Sequence, residues 1–329
     1  MMVKNHICVK ILTIKFLAGG AVFLLLCFGI FENALAKRKI SDLSKSTLYF
    51  ERYDGGQYIV DASINGQGPF RMMIDTGATR TSVFEKTRQR LGLETNILPE
   101  RNVSGMNKAE LRPLAMIKTL NFAGIKYENH NIIILKDWAD VGEVHFDGIL
   151  GMDVLDGLII QFKHAKSTVK FRKYWGINLQ DVRKWDRIKL VENPYLEENF
   201  GLYYTFTRIG DSFIPTLVDT GASFTALSWS FVRGTKLEKE KKRLRKEWEV
   251  RGAVGVFNPQ MRLRFDRIRI GDTALNKHEV VLMDLTNIPM NAYGKYPMVI
   301  TGVDLFAGRD FAFDFRSYNL YIRPSEKHK

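Results

Sequence analysis

The sequence predicts an all-β protein of two similar lobes with few short helices. Three observations carry that prediction. Apolar residues alternate in short runs bounded by glycine, asparagine and proline, the pattern of half-buried strands. The tripeptide Asp-Thr-Gly occurs twice, as Asp75-Thr76-Gly77 and Asp219-Thr220-Gly221, each after an apolar run and each continuing into alanine. Further signals then recur in the same order after each copy, so the repeat is half the length of the chain.

The first segment stands apart from the rest. Lys4, Lys10 and Lys15 precede Phe16 to Phe31, an uncharged and mostly apolar run, and Ala34-Leu35-Ala36 supplies small residues behind it. Residues 1–36 therefore read as a secretory signal cleaved after Ala36. The rival reading is an uncleaved inner-membrane anchor, for which the apolar run falls short of the ~20 residues of a spanning helix. Cys8 and Cys27 both lie in this segment, so the exported chain would carry neither disulfide nor thiolate chemistry. Three lysines and Glu32 also fall there, leaving 46 basic and 35 acidic residues, a balance of +11. Much of that excess sits in residues 236–251, where glutamates interleave with lysines and arginines. That segment reads as a solvated charged excursion, or as a weak contact with an anionic membrane surface. A secretory signal argues against nucleic acid as a partner.

Past the signal, the elements follow in pairs. Tyr58 to Ile64 alternates, Asn65-Gly66 and Gly68-Pro69 turn the chain, and Phe70 to Ile74 returns to Asp75. Leu202 to Thr207, Gly210-Asp211 and Phe213 to Val218 repeat this plan before Asp219. Gly124 and Gly271 each follow a short strand pattern, and thirteen residues beyond them stand Asp137 and Asp284, read as strand ends. Next come Ile149-Leu150-Gly151 and Ile300-Thr301-Gly302, where Asp153 and Asp304 are placed to cap short helices. Thr168 to Phe171 and Leu320 to Ile322 close the halves. The divisions expected are an N-terminal lobe at 45–173, a connection at 174–199 and a C-terminal lobe at 200–329. The connection is rich in apolar and aromatic residues, among them Trp175, Trp185, Ile188 and Leu190, so it is expected to pack across both lobes.

One Asp-Thr-Gly would be weak evidence, since it arises by chance in on the order of a few per cent of chains this long. Two copies with matched flanks, plus two apolar-apolar-Gly elements downstream, give the chain a specific likeness. It resembles the pepsin–retropepsin class of aspartic proteases, and within it the exported bacterial members with two lobes fused in one chain. The likeness spans about Leu48 to Pro324. It implies a bilobal acid-protease fold, two β-barrel-like lobes with a cleft between them. Asp75 and Asp219 would be the catalytic pair at its floor. Thr76 and Thr220 would hydrogen-bond across the lobe interface, and Gly77 and Gly221 would let backbone approach the pair. Ile149, Leu150 and Gly151, with Ile300, Thr301 and Gly302, would form strands threading behind each loop. Thr301 departs from the apolar preference there, although its methyl group can pack. Retroviral members usually follow that glycine with an arginine; Met152 and Val303 stand here instead, so their ion-pair tie is not expected.

The resemblance further implies an endopeptidase of the periplasm or exterior that hydrolyses polypeptides with a water activated between two carboxyls sharing one proton. No metal or cofactor is implied, and pairing of lobes within one chain is favoured over an obligate dimer. Ala78 and Ala222 replace a hydroxyl residue common in pepsin-like members, so an activity optimum nearer neutrality is expected. Possible flaps lie around Gly105 and Gly255. The alternative is a non-catalytic peptide-binding or regulatory protein retaining the fold. The histidines, His6, His130, His145, His164, His278 and His328, have no metal-ligand spacing and read as core or surface residues.

Overall fold

The computed structural model describes residues 37–40, 46–53, 55–95, 97–104, 109–137, 145–173, 182–192, 201–236, 250–252, 255–257, 261–286, 296–306 and 308–324. The signal segment, Gly105 and nearly all of 236–251 lie outside these residues. Among the described residues no helix is long and apolar enough to cross a membrane.

Six strands of the first half form a closed barrel: β1 Tyr58–Ile64, β2 Gln67–Ile74, β3 Ser82–Phe84, β4 Leu114–Phe122, β5 Ile125–Leu135 and β6 Gly148–Leu150. Hydrogen bonding runs round the ring β1, β2, β6, β3, β5, β4 and back to β1. The second half repeats it with β7 Tyr203–Ile209, β8 Ser212–Val218, β9 Ala226–Ser228, β10 Met261–Ile270, β11 Thr273–Met283 and β12 Val299–Thr301. Its ring is β7, β8, β12, β9, β11, β10. In each barrel the pairings of the last strand with the second, and of the fifth with the third, are parallel, and the others antiparallel. Closure removes the free edges that short strands would otherwise expose.

Alternation decides which side chains fill the barrels. On β1, Tyr58, Val60, Ala62 and Ile64 are buried in the main core, while Ile59 joins Met73, Phe84 and Ile149 in a second, smaller apolar cluster. The tight turn after β1 is Asn65-Gly66 alone, both residues at positive φ (52° and 77°) as a two-residue hairpin requires. Gly68-Pro69 belongs to the return strand and is no turn. One helix went unforeseen, α1 Glu85–Leu91, which buries only Thr87 and Leu91 and stops at Gly92 in the left-handed conformation.

A six-stranded sheet joins the halves. Its order is Asp186–Lys189, Asn319–Ile322, Phe311–Asp314, Ile159–Lys163, Thr168–Arg172, Thr47–Tyr49. The pairing of Ile159–Lys163 with Phe311–Asp314 puts strands from different halves side by side. Phe162 and Phe311 stack there with ring centroids 4.3 Å apart, and Phe306 stacks on Phe311 at 3.7 Å. From the connection, Asp186–Lys189 supplies an edge strand of this sheet, and Trp185 packs against Ile159, Ala312 and Tyr321. Trp175 lies outside the described residues.

Candidate active site

Asp75 follows the last residue of β2 and Asp219 the last residue of β8, so the same hairpin geometry delivers both carboxylates. Behind each runs the short final strand. Leu150 on β6 accepts the Asp75 N–H at 3.1 Å, and Thr301 on β12 accepts the Asp219 N–H at 3.0 Å. Ile149, Leu150, Ile300 and Thr301 are all buried. Gly151 and Gly302 then leave room for the loop to fold back. A Cβ on Gly151 would overlap the main chain of Arg80, and one on Gly302 would lie 2.6 Å from the Ala222 carbonyl oxygen.

Four reciprocal hydrogen bonds lock the two loops together. Thr76 N–H donates to Thr220 Oγ1 (3.1 Å) and Thr220 N–H to Thr76 Oγ1 (3.0 Å). Each hydroxyl then donates across the interface, Thr76 to the Val218 carbonyl and Thr220 to the Ile74 carbonyl, both at 2.8 Å. Both threonines are buried, and the N–H and hydroxyl of each have a partner. Gly77 and Gly221 lie against the opposite carboxyl groups, and a methyl group on either would overlap the carboxyl carbon of Asp219 or Asp75.

The two carboxyl groups thus meet where the loops meet, each against the glycine of the opposite loop. Both aspartates are half-buried at this junction. Burial pushes both above the ordinary carboxylate range, and the charge of Asp219 pushes Asp75 well above it. Opposing this, Gly77 and Ala78 N–H groups donate to Asp75 Oδ1 at 2.8 and 3.0 Å, and Gly221 and Ala222 N–H groups to Asp219 Oδ1 at 2.7 and 3.1 Å. Two carboxyls so close cannot both ionise cheaply, so the pair retains one proton, and its titration belongs to the pair.

Two residues at the site carried no sequence signal. Gln57, buried just before β1, reaches across the lobes and donates to the Gly221 carbonyl (3.0 Å) and Ser223 Oγ (2.7 Å). The other is Thr81, which meets Asp153 instead of leaving it to the helix. Asp153 and Asp304 do not cap: the N-caps of α2 Met152–Leu155 and of the 3-10 turn Val303–Leu305 are Gly151 and Gly302, without side-chain caps. The two carboxylates bond laterally instead, to Thr81 and Thr225. Asp137 accepts the Lys86 N–H just beyond β5, and Asp284 the Thr286 N–H beyond β11, so both sit at strand ends away from the pair.

Hairpins stand at both possible flap positions. Arg101–Ser104 pairs with Ala109–Arg112, and Val250–Gly252 pairs with Gly255–Phe257, with Gly255 facing Gly252 at the tip. Val103 packs in the same small apolar cluster as Ala78 and Tyr53, which anchors the first hairpin beside the Asp75 loop. Among the described residues no group of three or more His, Cys, Asp or Glu side chains could hold a metal ion.

A family model described as aspartyl protease matches residues 60–154 and 207–304, well over half of the chain and one match for each barrel. Comparison with curated proteins gave no match.

Proposed function

The chain belongs to the aspartyl protease family, and from that premise we propose that it is an exported aspartic endopeptidase that cleaves polypeptides with Asp75 and Asp219. The observation that carries this reading is the reciprocal threonine lock that sets the two carboxyls against each other's loops, with burial raising the proton affinity of both and the charge of Asp219 raising that of Asp75 further. In the singly protonated pair, the ionised member takes a proton from water as that water attacks the peptide carbonyl. The protonated member donates a hydrogen bond to the oxygen on which charge develops. A proton then reaches the leaving nitrogen. The reciprocal threonine bonds fix both carboxyls before substrate arrives, so little reorganisation is left for the chemical step.

The site is assembled from one chain, which supports a monomer whose own lobes pair. The hairpin of Arg101–Ser104 and Ala109–Arg112, fastened beside Ala78, is the element that would lie over a bound peptide. Export rests on the residue pattern of 1–36.

The test is cleavage of a peptide library by the wild type, Asp75→Asn and Asp219→Asn, with an aspartic-protease transition-state mimic as inhibitor. Either substitution should abolish cleavage, and the mimic should block the wild type. Wild-type protein that binds peptides without cutting them, with affinity unchanged in both variants, would replace the peptidase reading with a peptide-binding one.

A further inference from the structure

Each barrel carries the same trio of a threonine, an aspartate and a histidine behind its Asp-Thr-Gly loop, with both threonines buried and the first trio more enclosed than the second. In the first, Asp153 Oδ1 accepts both the N–H (2.8 Å) and the hydroxyl (2.7 Å) of Thr81, while Asp153 Oδ2 lies 2.9 Å from His130 Nε2. In the second, Asp304 Oδ2 accepts the Thr225 N–H (2.8 Å) and lies 3.1 Å from His278 Nε2, and Asp304 Oδ1 accepts the Thr225 hydroxyl (3.0 Å). A carboxylate oxygen accepts, so His130 Nε2 is the donor to Asp153, while His278 Nε2 sits beside both Asp304 Oδ2 and Thr225 Oγ1, the latter at 3.4 Å. Thr81 and Thr225 are the last residues before β3 and β9, the point at which each loop rejoins its barrel. Their carbonyls accept N–H groups from Ile133 and Val281, so both ends of each threonine are tied. The second trio reaches further: Thr301 Oγ1 lies 3.4 Å from Thr225 Oγ1, which gives its hydroxyl a polar contact besides any packing of its methyl group.

The backbone aims the histidines deliberately. Asn129 and Lys277, the residues directly before them, both hold φ of 51°, a left-handed conformation that lysine rarely adopts. Neither is paired in its ladder, although the register continues unchanged on both sides, from Glu128↔Thr119 to His130↔Ile117 and from Asn276↔Arg267 to His278↔Phe265. The two halves differ at other positions close to the pair: Gln57 on one side of the cleft matches Leu202 on the other, and Arg80 matches Phe224. The kink and the trio are nevertheless present in both.

We propose that His130 and His278 are positioning residues for the two central aspartates. His130 holds Asp153 Oδ2 while Oδ1 takes both donors of Thr81. His278 lies against Asp304 Oδ2 and Thr225 Oγ1 while the two oxygens of Asp304 take the donors of Thr225. Each carboxylate is thereby set to hold the end of the loop that carries Asp75 or Asp219. The consequence for turnover rests on the peptidase reading; the consequence for loop rigidity does not.

The experiment therefore uses two readouts on the full chain. Amide hydrogen exchange is followed in peptides covering 75–82 and 219–226, and kcat and KM are measured for a peptide substrate. His130→Ala should speed exchange in 75–82 and leave 219–226 unchanged, and His278→Ala should do the converse. Each should lower kcat about tenfold with KM within about twofold, since displacement of a catalytic group by ~1 Å can cost up to 100-fold. Gln places an amide nitrogen near the position of Nε2, so His130→Gln and His278→Gln should restore most of the rate and the slow exchange. If His130→Ala fails to fold, the more exposed second trio (side-chain exposure 15% and 24%, against 8% and 11%) supplies His278→Ala for the same comparison. Folded Ala variants with unchanged loop exchange and unchanged kcat would overturn the proposal. If the wild type cleaves no better than Asp75→Asn, the peptidase reading falls, and loop exchange alone decides the role of the histidines.

Discussion

Asp75 and Asp219 are held in a state their own chemistry resists. Burial raises both, so each binds its proton more tightly folded than unfolded. The sign follows from linkage: a raised folded affinity stabilises the protein below the unfolded carboxylate range and loses that contribution as pH rises through the folded value. Asp75→Asn should accordingly be more heat-stable than the wild type at pH 7, by about 2 °C or more, with the difference vanishing near pH 3; calorimetry at the two pH values checks this. The four backbone N–H groups are the main opposing force, and no side-chain hydroxyl adds to them at Ala78 or Ala222. Introducing serine at both positions would offer a donor to the ionised form and lower the affinity of the pair for its proton. The pH–rate optimum of Ala78→Ser/Ala222→Ser should move to more acid pH, and an unmoved optimum would show that the added hydroxyls do not reach the carboxyls. Asp75, Asp219 and the threonines beside them were legible because their chemistry is local and stated twice. Gln57 was not, since its partners Gly221 and Ser223 lie more than 160 residues away. Asp153 was misread because capping is a rule about neighbours in sequence, while its partners Thr81, just before β3, and His130, on β5, lie 72 and 23 residues away.

The short strands β6 and β12 set the tolerance of the site. Each pairs on both flanks, and each is followed by a glycine wedged against the loop it supports. Gly151→Ala must displace the main chain of Arg80 instead of a flexible side chain, so it should destabilise the fold by about 2 kcal/mol or more and lower activity in the protein that remains folded. Gly210→Asn makes the contrast: that glycine has φ of +57° and open space around the missing Cβ. Asparagine tolerates that conformation, and its denaturation midpoint and kcat should stay close to the wild type. Urea titration of both variants tests the pair. At this level the alternating runs located nearly every barrel strand, and the Asn65-Gly66 turn announced itself. The helix Glu85–Leu91 did not, because two buried residues in seven give no readable helical period. Proline after glycine suggested a turn where β2 had already begun.

Across the whole molecule, the repeated order of signals foretold two alike lobes, and the two closed barrels are that repeat in space. The sheet that joins them was less visible, since Thr168 to Phe171 and Leu320 to Ile322 read equally well as the ends of separate domains. The halves join one strand further in, where Ile159, Ile160, Gln161 and Phe162 pair with Asp314, Phe313, Ala312 and Phe311. Phe311 is fully buried and stacks on Phe162 and Phe306, so Phe311→Ala should cost about 3–5 kcal/mol. Because the ring touches strands of both halves, the loss should appear as one unfolding transition shifted downward; two separated transitions in calorimetry would mean that the halves melt independently.

That seam also constrains how the chain is made. While the protein is being synthesised, Ile159–Lys163 emerges about 150 residues ahead of the strand that completes it, and meanwhile presents an apolar border with nothing beside it. A nascent chain stalled at that stage, or a fragment ending near residue 173, would find its nearest substitute in another copy of itself.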